Sequence, residues 1–99
     1  MIHMNKFQEI QYQKKEILVV ARQHGIVNVR IFGSVVRGDD HPQSDIDFLV
    51  DLQEGHTLFD LGGASVKLQE LLGQKVDIVT ERGLHWYLRE KIIKEARLL

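Results

Sequence analysis

Six residues near the middle of the chain, Asp45-Ile46-Asp47-Phe48-Leu49-Val50, constrain the fold more than any other stretch. In a strand, side chains alternate between two faces, so Ile46, Phe48 and Val50 share one face while Asp45, Asp47 and Leu49 share the other. The first face needs an apolar layer against it. The second carries two carboxylates about 6.5–7 Å apart along the strand. Packed together without compensation they repel, and at least one is driven toward protonation. A lone D-x-D at a strand start is commonly an edge or turn acid, so its surroundings have to decide between that reading and a chemical one.

The flanking patterns supply the layers. Phe7, Ile10, Ile17, Leu18 and Ala21 follow helical spacing from Phe7 to His24, and Gly25 is a helix stop. Val27 to Phe32 alternates, is β-branched and ends at Gly33, which predicts a strand. Val35 to Gly38 holds no more than a turn or two of helix, and Asp39 to Gln43, with the chain's single proline, is loop. Thr57 and Asp60 are spaced as a capping box ahead of a helix to Leu72, whose stripe is Leu58, Leu61, Ser65, Leu68 and Leu72. Gly62-Gly63 weakens its middle, and Gly73 suits its C-terminal cap. Lys75 to Thr80 predicts a third strand and Leu84 to Leu99 a final helix. The order αβ(α)βαβα implies an α+β sandwich, a small mixed sheet flanked by helices. Its 99 residues are expected to form a single domain, residues 1–99.

Composition narrows the function classes. Seven carboxylates and no Lys or Arg fall within residues 39–60, although the whole chain carries a net charge of only −1. Such a segment repels a phosphate backbone, which argues against direct nucleic-acid binding, and attracts divalent cations. Asp39, Asp40, Glu54 and Asp60 read as solvated loop acids. There are no cysteines, so disulfides and thiolate metal sites are excluded. No run approaches the roughly 18 apolar residues of a membrane span, and no leader pattern opens the chain, which places it in the cytoplasm. Met1-Ile2-His3-Met4 shows no motif, and Met4 offers an alternative start.

The surroundings of Asp45 and Asp47 favour chemistry. Gly33-Ser34 closes a strand and opens a short helix, a geometry that aims backbone N–H groups and a hydroxyl at one spot; the alternative is a plain serine N-cap. Neither a Walker loop nor a dinucleotide fingerprint is present. Arg37 either neutralises phosphate or holds the loop by pairing with an acid. Asp77 lies between apolar Val76 and Ile78, and adds a third acid to the same face if the third strand neighbours the second. Phosphate at Ser34 and a divalent cation at Asp45 and Asp47 together describe a nucleoside triphosphate site.

Gly33-Ser34-x-x-Arg37-Gly38, then Ser44-Asp45-Ile46-Asp47, then Val76-Asp77-Ile78-Val79 resembles the nucleotidyltransferase superfamily of DNA polymerase beta. It is most similar to the superfamily's minimal, MNT-type branch, over about residues 7 to 97. The resemblance implies that Gly33, Ser34, Arg37 and Ser44 bind the nucleotide. It further implies that Asp45, Asp47 and Asp77 form the catalytic triad and hold Mg²⁺ or Mn²⁺, with ATP as substrate. The implied reaction is transfer of AMP to a hydroxyl. In this branch the partner is a HEPN-domain toxin and the acceptor one of its tyrosines, with the MNT member acting as antitoxin in a hetero- or homo-oligomer. The branch also admits an antitoxin that neutralises by binding alone, and relatives that modify small hydroxylated molecules. One departure stands out: Val36 replaces a small alanine, and a β-branched residue there is expected to crowd the turn.

Read as a single domain, residues 1–99 leave no room for a separate acceptor pocket, so the acceptor is expected from a partner, a second copy or an open groove. Within the final helix, Leu84, Leu88, Ile92 and Leu99 are placed to face the sheet, with Trp86 and Ile93 nearly opposite. That pair is either a contact surface or, if the helix starts after Trp86, a tryptophan tucked into the core. His24, His41, His56 and His85 show no metal-ligand spacing.

Overall fold

The structure is a computed structural model and describes residues 4–99; Met1-Ile2-His3, to which the sequence assigns no role, lie outside the described residues. Two helices open it, α1 (Lys6–Tyr12) and α2 (Lys14–Gln23). They replace the single helix expected from Phe7 to His24. The N–H of Gln13 is shared between the carbonyls of Glu9 and Ile10, a tightened turn that kinks the helix. Ile10 and Ile17, seven residues apart and so on one side of the helical pair, are both fully buried.

Four strands, β1 (Ile26–Phe32), β2 (Ile46–Leu52), β3 (Val76–Thr80) and β4 (Arg97–Leu98), form a sheet of order β3-β2-β1-β4. Strand β1 runs antiparallel to β2, while β2 and β3 are parallel. A parallel pair needs a long crossover, and α4 (Leu58–Leu72) supplies it. Its start is fixed by the capping box: Asp60 accepts the N–H of Thr57 and Thr57 accepts that of Phe59. Gly73 closes it in the left-handed conformation with its N–H on Gln69. Ile46, Phe48 and Val50 are buried together with Ile10, Ile17, Ala64 and Leu68 in one apolar cluster between sheet and helices. The alternation read from the sequence therefore sets the layering. Leu49 is fully buried and Phe32 nearly so, yet both lie outside that cluster, on the acidic side of the sheet.

The segment after β3 departs from expectation. A 3₁₀ turn (Glu81–Gly83) precedes α5 (Trp86–Glu95), and the helix stops there. Ala96 is extended, and Arg97–Leu98 form β4, antiparallel to β1. Leu99 is buried as expected, but it reaches the core from the strand side, its N–H bonded to Val29. Helical periodicity over residues 84–99 persists by coincidence: the last residues instead pair with the edge of β1 that β2 leaves free. No residue of α5 is buried, and Trp86 is 77% and Tyr87 73% exposed. Of the two placements open for Trp86, the structure shows the exposed one.

Candidate active site

Three elements converge at one end of the sheet. In the parallel ladder Asp47 sits directly opposite Asp77, and across the antiparallel ladder it faces Phe32, the last residue of β1. Gly33 follows at once. Asp45, just ahead of β2 on the same face, completes the group. The register is held from behind: Ile46 donates its N–H to Lys75, Ser65 of α4 donates to the carbonyl of Val76, and Gln69 accepts the N–H of Val76. The third acid that the sequence offers conditionally thus lies beside the other two, because α4 returns the chain parallel to β2.

Gly33 is required on two grounds. Its φ of 83° is one that side chains disfavour, and a Cβ there would lie 2.3 Å from an Asp47 carboxylate oxygen. The bare backbone therefore passes directly beneath the carboxylate. Gly33 is the N-cap of the short helix α3 (Ser34–Arg37), which makes Ser34 its first helical residue. The serine N-cap alternative is thereby removed, and among the described residues the Ser34 hydroxyl makes no hydrogen bond. Val36, the residue that departs from the usual alanine, is half-buried and packs against the apolar core. Ser44 is engaged locally: its hydroxyl accepts the N–H of His41, and its carbonyl accepts from Gln74. It shapes the loop that delivers Asp45.

The electrostatics of the three acids are unbalanced. Asp47 is half-buried, and its carboxyl is pushed up from 3.8 to about 6, first by desolvation and then by the charges of Asp77 and Asp45. Among the described residues no hydrogen-bond donor contacts any of the three carboxylates, and the only ion pair is a loose 3.8 Å contact from exposed Lys75 to Asp45. Among those residues, too, no three His, Cys, Asp or Glu side chains form a preformed metal cage. The donor set nonetheless suits a hard divalent cation: oxygen ligands, an excess of negative charge and, among the described residues, no closer protein cation than the loosely placed Lys75.

Arg37 does not reach these acids as an ion-pair partner. Its guanidinium binds Glu95 at 2.9 Å and Asp39 at 3.2 Å, and these bonds, Glu95 foremost, hold its pKa above the ordinary value. Glu95 also accepts the N–H of Gly33 at 2.9 Å. Sequence reading does not single out Glu95. The available signal is its place in the last turn of α5, where the helix dipole favours cations over acids.

Carboxylates left unpaired beside a backbone turn that already holds an anion suit the handling of a charged phosphate substrate, which is the business of phosphoryl- and nucleotidyl-transfer proteins. Comparison with known proteins makes this particular. Residues 6–99 match the Nucleotidyltransferase domain family, and the chain belongs to that family. A Methanocaldococcus jannaschii protein, provisionally named protein adenylyltransferase MJ0435, is 39% identical over 83 residues, 84% of this chain and 89% of that protein. A solved structure provisionally described as a minimal nucleotidyltransferase is 42% identical with a TM-score of 0.83, over 100% of both chains. A crystal structure of a toxin–antitoxin with AMP-PNP shares the fold at a TM-score of 0.72 and 23% identity, over 86% of this chain and 70% of that one. The chain is a nucleotidyltransferase of small mixed-sheet architecture.

Proposed function

We propose that this chain, acting as one domain, transfers AMP from ATP to a hydroxyl of a partner protein, and that the partner is a toxin it restrains. The observation that carries the reading is the Asp45–Asp47–Asp77 group, held in register yet left without donors, beside the Gly33–Ser34 turn. The adenylyltransferase name of the Methanocaldococcus relative supports the reaction, and the toxin–antitoxin structure with AMP-PNP supports the nucleotide and the kind of partner. A HEPN-type toxin presenting a tyrosine is the specific form of this proposal.

In this reading Asp45 and Asp47 hold a divalent cation, Mg²⁺ or Mn²⁺, which when bound neutralises the triphosphate and stabilises charge on the leaving group. Gly33 and Ser34 orient the phosphates through the backbone N–H and the free hydroxyl, with Arg37 beside them. The acceptor oxygen attacks the α-phosphorus; the new O–P bond forms as the bond to the β-phosphate oxygen breaks, and pyrophosphate leaves. Asp77 is exposed, unlike half-buried Asp47, and stands where an incoming hydroxyl can pass it a proton. Catalysis rests on position and charge, with no covalent enzyme intermediate. Two grooves, of about 440 and 960 Å³, lie away from the three acids, one against α1 and α2 and the other at the far ends of β2 and β3. The exposure of Asp77 at the rim of the group suits an acceptor carried in by a folded partner.

The test is co-expression with the protein encoded beside it, ATP and Mg²⁺ supplied, and intact-mass measurement of both chains. An adenylate-sized increment on the partner that disappears in Asp45→Asn/Asp47→Asn supports transfer. Toxicity still suppressed by that double variant, with no increment in either case, would leave an antitoxin that works by binding and overturn the catalytic role.

A further inference from the structure

Glu95 ties α5 to a turn 62 positions earlier, and its carboxylate is wholly occupied there. One oxygen accepts the N–H of Gly33 at 2.9 Å and the other accepts the Arg37 guanidinium at 2.9 Å, with the side chain only 14% exposed. The backbone donor and the guanidinium that a phosphate would engage are therefore already gripping an anion, and it belongs to the chain itself. Nothing local favours an acid at this position. The last turn of a helix prefers cations, and Glu95 adds a further negative charge to the field at Asp47. What retains it is the pair of charge-assisted bonds to the turn, and a phosphate oxygen competes for donors of the same kind.

We infer that Glu95 is an internal stand-in for a substrate phosphate: it holds the Gly33–Arg37 turn in shape before substrate arrives, and a polyphosphate engages the turn only by displacing it. Glu95 is thus a positioning residue that sets substrate affinity, and it links that affinity to the end of α5, the helix whose Trp86 and Tyr87 stand exposed. The identity of the displaced ligand as ATP rests on the proposed function; the competition itself does not.

The experiment measures binding of sodium tripolyphosphate and of Mg-ATP to the full chain by titration calorimetry, in wild type, Glu95→Gln and Glu95→Ala. Gln keeps the size and an acceptor for Gly33 while removing the charge; Ala removes the group. Thermal melts check that both variants are folded, and if Ala is not, Gln decides. Freed of an internal competitor, both variants are expected to bind tripolyphosphate about tenfold more tightly than wild type. Equal or weaker binding in Glu95→Gln overturns the inference and makes Glu95 a brace the turn needs. Tripolyphosphate tightened by the substitutions, with Mg-ATP bound by none of the three proteins, keeps the inference and overturns the nucleotide reading. Tripolyphosphate bound no more tightly by the variants, with Mg-ATP bound equally by all three proteins, does the reverse. If none binds either ligand, both fall.

Discussion

The acidic face of the sheet carries two groups of carboxylates, one at each end of β2, and the chain treats them in opposite ways. At one end, Asp51 and Glu81 are joined by Arg30, whose guanidinium lies 3.0 Å from the first and 3.1 Å from the second. Asn28 adds an amide donor to Asp51 at 2.8 Å, from a bulge where it takes a positive φ of 51°. At the other end, Asp45, Asp47 and Asp77 face one another with no comparable partner. The strand, the face and the residue type are shared, so neither local propensity nor composition accounts for the difference. Acids that serve the fold are given cations and amides. Acids left exposed to one another, with the pKa of one raised by its burial and its neighbours, are retained for something that arrives from outside.

The largest expected consequence concerns the unpaired end. Asp45→Asn/Asp47→Asn should reduce nucleotidyl transfer by at least about a thousandfold, since the variant loses the charge that the transition state needs. In the absence of metal the same variant should be no less stable than wild type, as it removes repulsion. Mg²⁺ or Mn²⁺ should raise the melting temperature of wild type only. Equal shifts in both proteins would refute the assigned ligands.

The paired end should respond in the reverse sense. Arg30→Ala leaves Asp51 and Glu81 facing each other without their cation, and should cost about 1–3 kcal/mol in denaturant unfolding. Arg30 is 19% exposed at its side chain, so the loss is not fully screened. Transfer activity should follow only the folded fraction. A variant of wild-type stability would show that the two ends are not different in kind.

Much of this contrast is legible in the order of the residues, and the illegible part has definite causes. The D-x-D register, the third acid, Gly33 and the capping box at Thr57 are short-range patterns, and each lies where its spacing puts it. The kink at Gln13 and the 3₁₀ turn at Glu81 are small local adjustments inside otherwise apt patterns. Strand β4 is different: two residues pair only because β1 has a free edge, a fact about tertiary position that Arg97 and Leu98 do not carry themselves. Arg30 likewise alternates correctly in β1, but its two acids come from other elements, 21 and 51 positions away. Glu95 combines both difficulties, since its partners lie far off in sequence and its helix-end position is only a negative signal.

Asp47 offers a smaller, pH-dependent version of the comparison. Its folded pKa of about 6 lies above the ordinary 3.8, so the native chain holds this proton more tightly than the unfolded chain does. Between about pH 4 and pH 6 the native state binds more protons, and stability must fall as pH rises through that window. Other carboxylates titrate nearby, so the quantity to measure is the difference between wild type and Asp47→Asn in urea midpoint at successive pH values. Wild type should lose ground to the variant from pH 4 to pH 6 and hold level above it. Parallel curves would mean that the three acids already share a compensating partner.

The smallest effect tests whether Lys75 is that partner. Its ammonium lies 3.8 Å from Asp45, at the limit of an ion pair, and the two side chains are 75% and 39% exposed. Exposed pairs of this kind contribute roughly 0–1 kcal/mol, reduced further by salt. Lys75→Ala should therefore change unfolding stability by less than about 0.5 kcal/mol. The backbone carbonyl of Lys75, which receives the N–H of Ile46 and fixes the ladder, is unaffected by the substitution. A loss above about 1 kcal/mol that disappears in about 0.5 M salt would show that Lys75 neutralises the acid group as Arg30 does its own. The two ends of β2 would then differ in degree, and the unpaired carboxylates would no longer mark a site. A change within the expected range leaves three acids that only an incoming cation or ligand can balance.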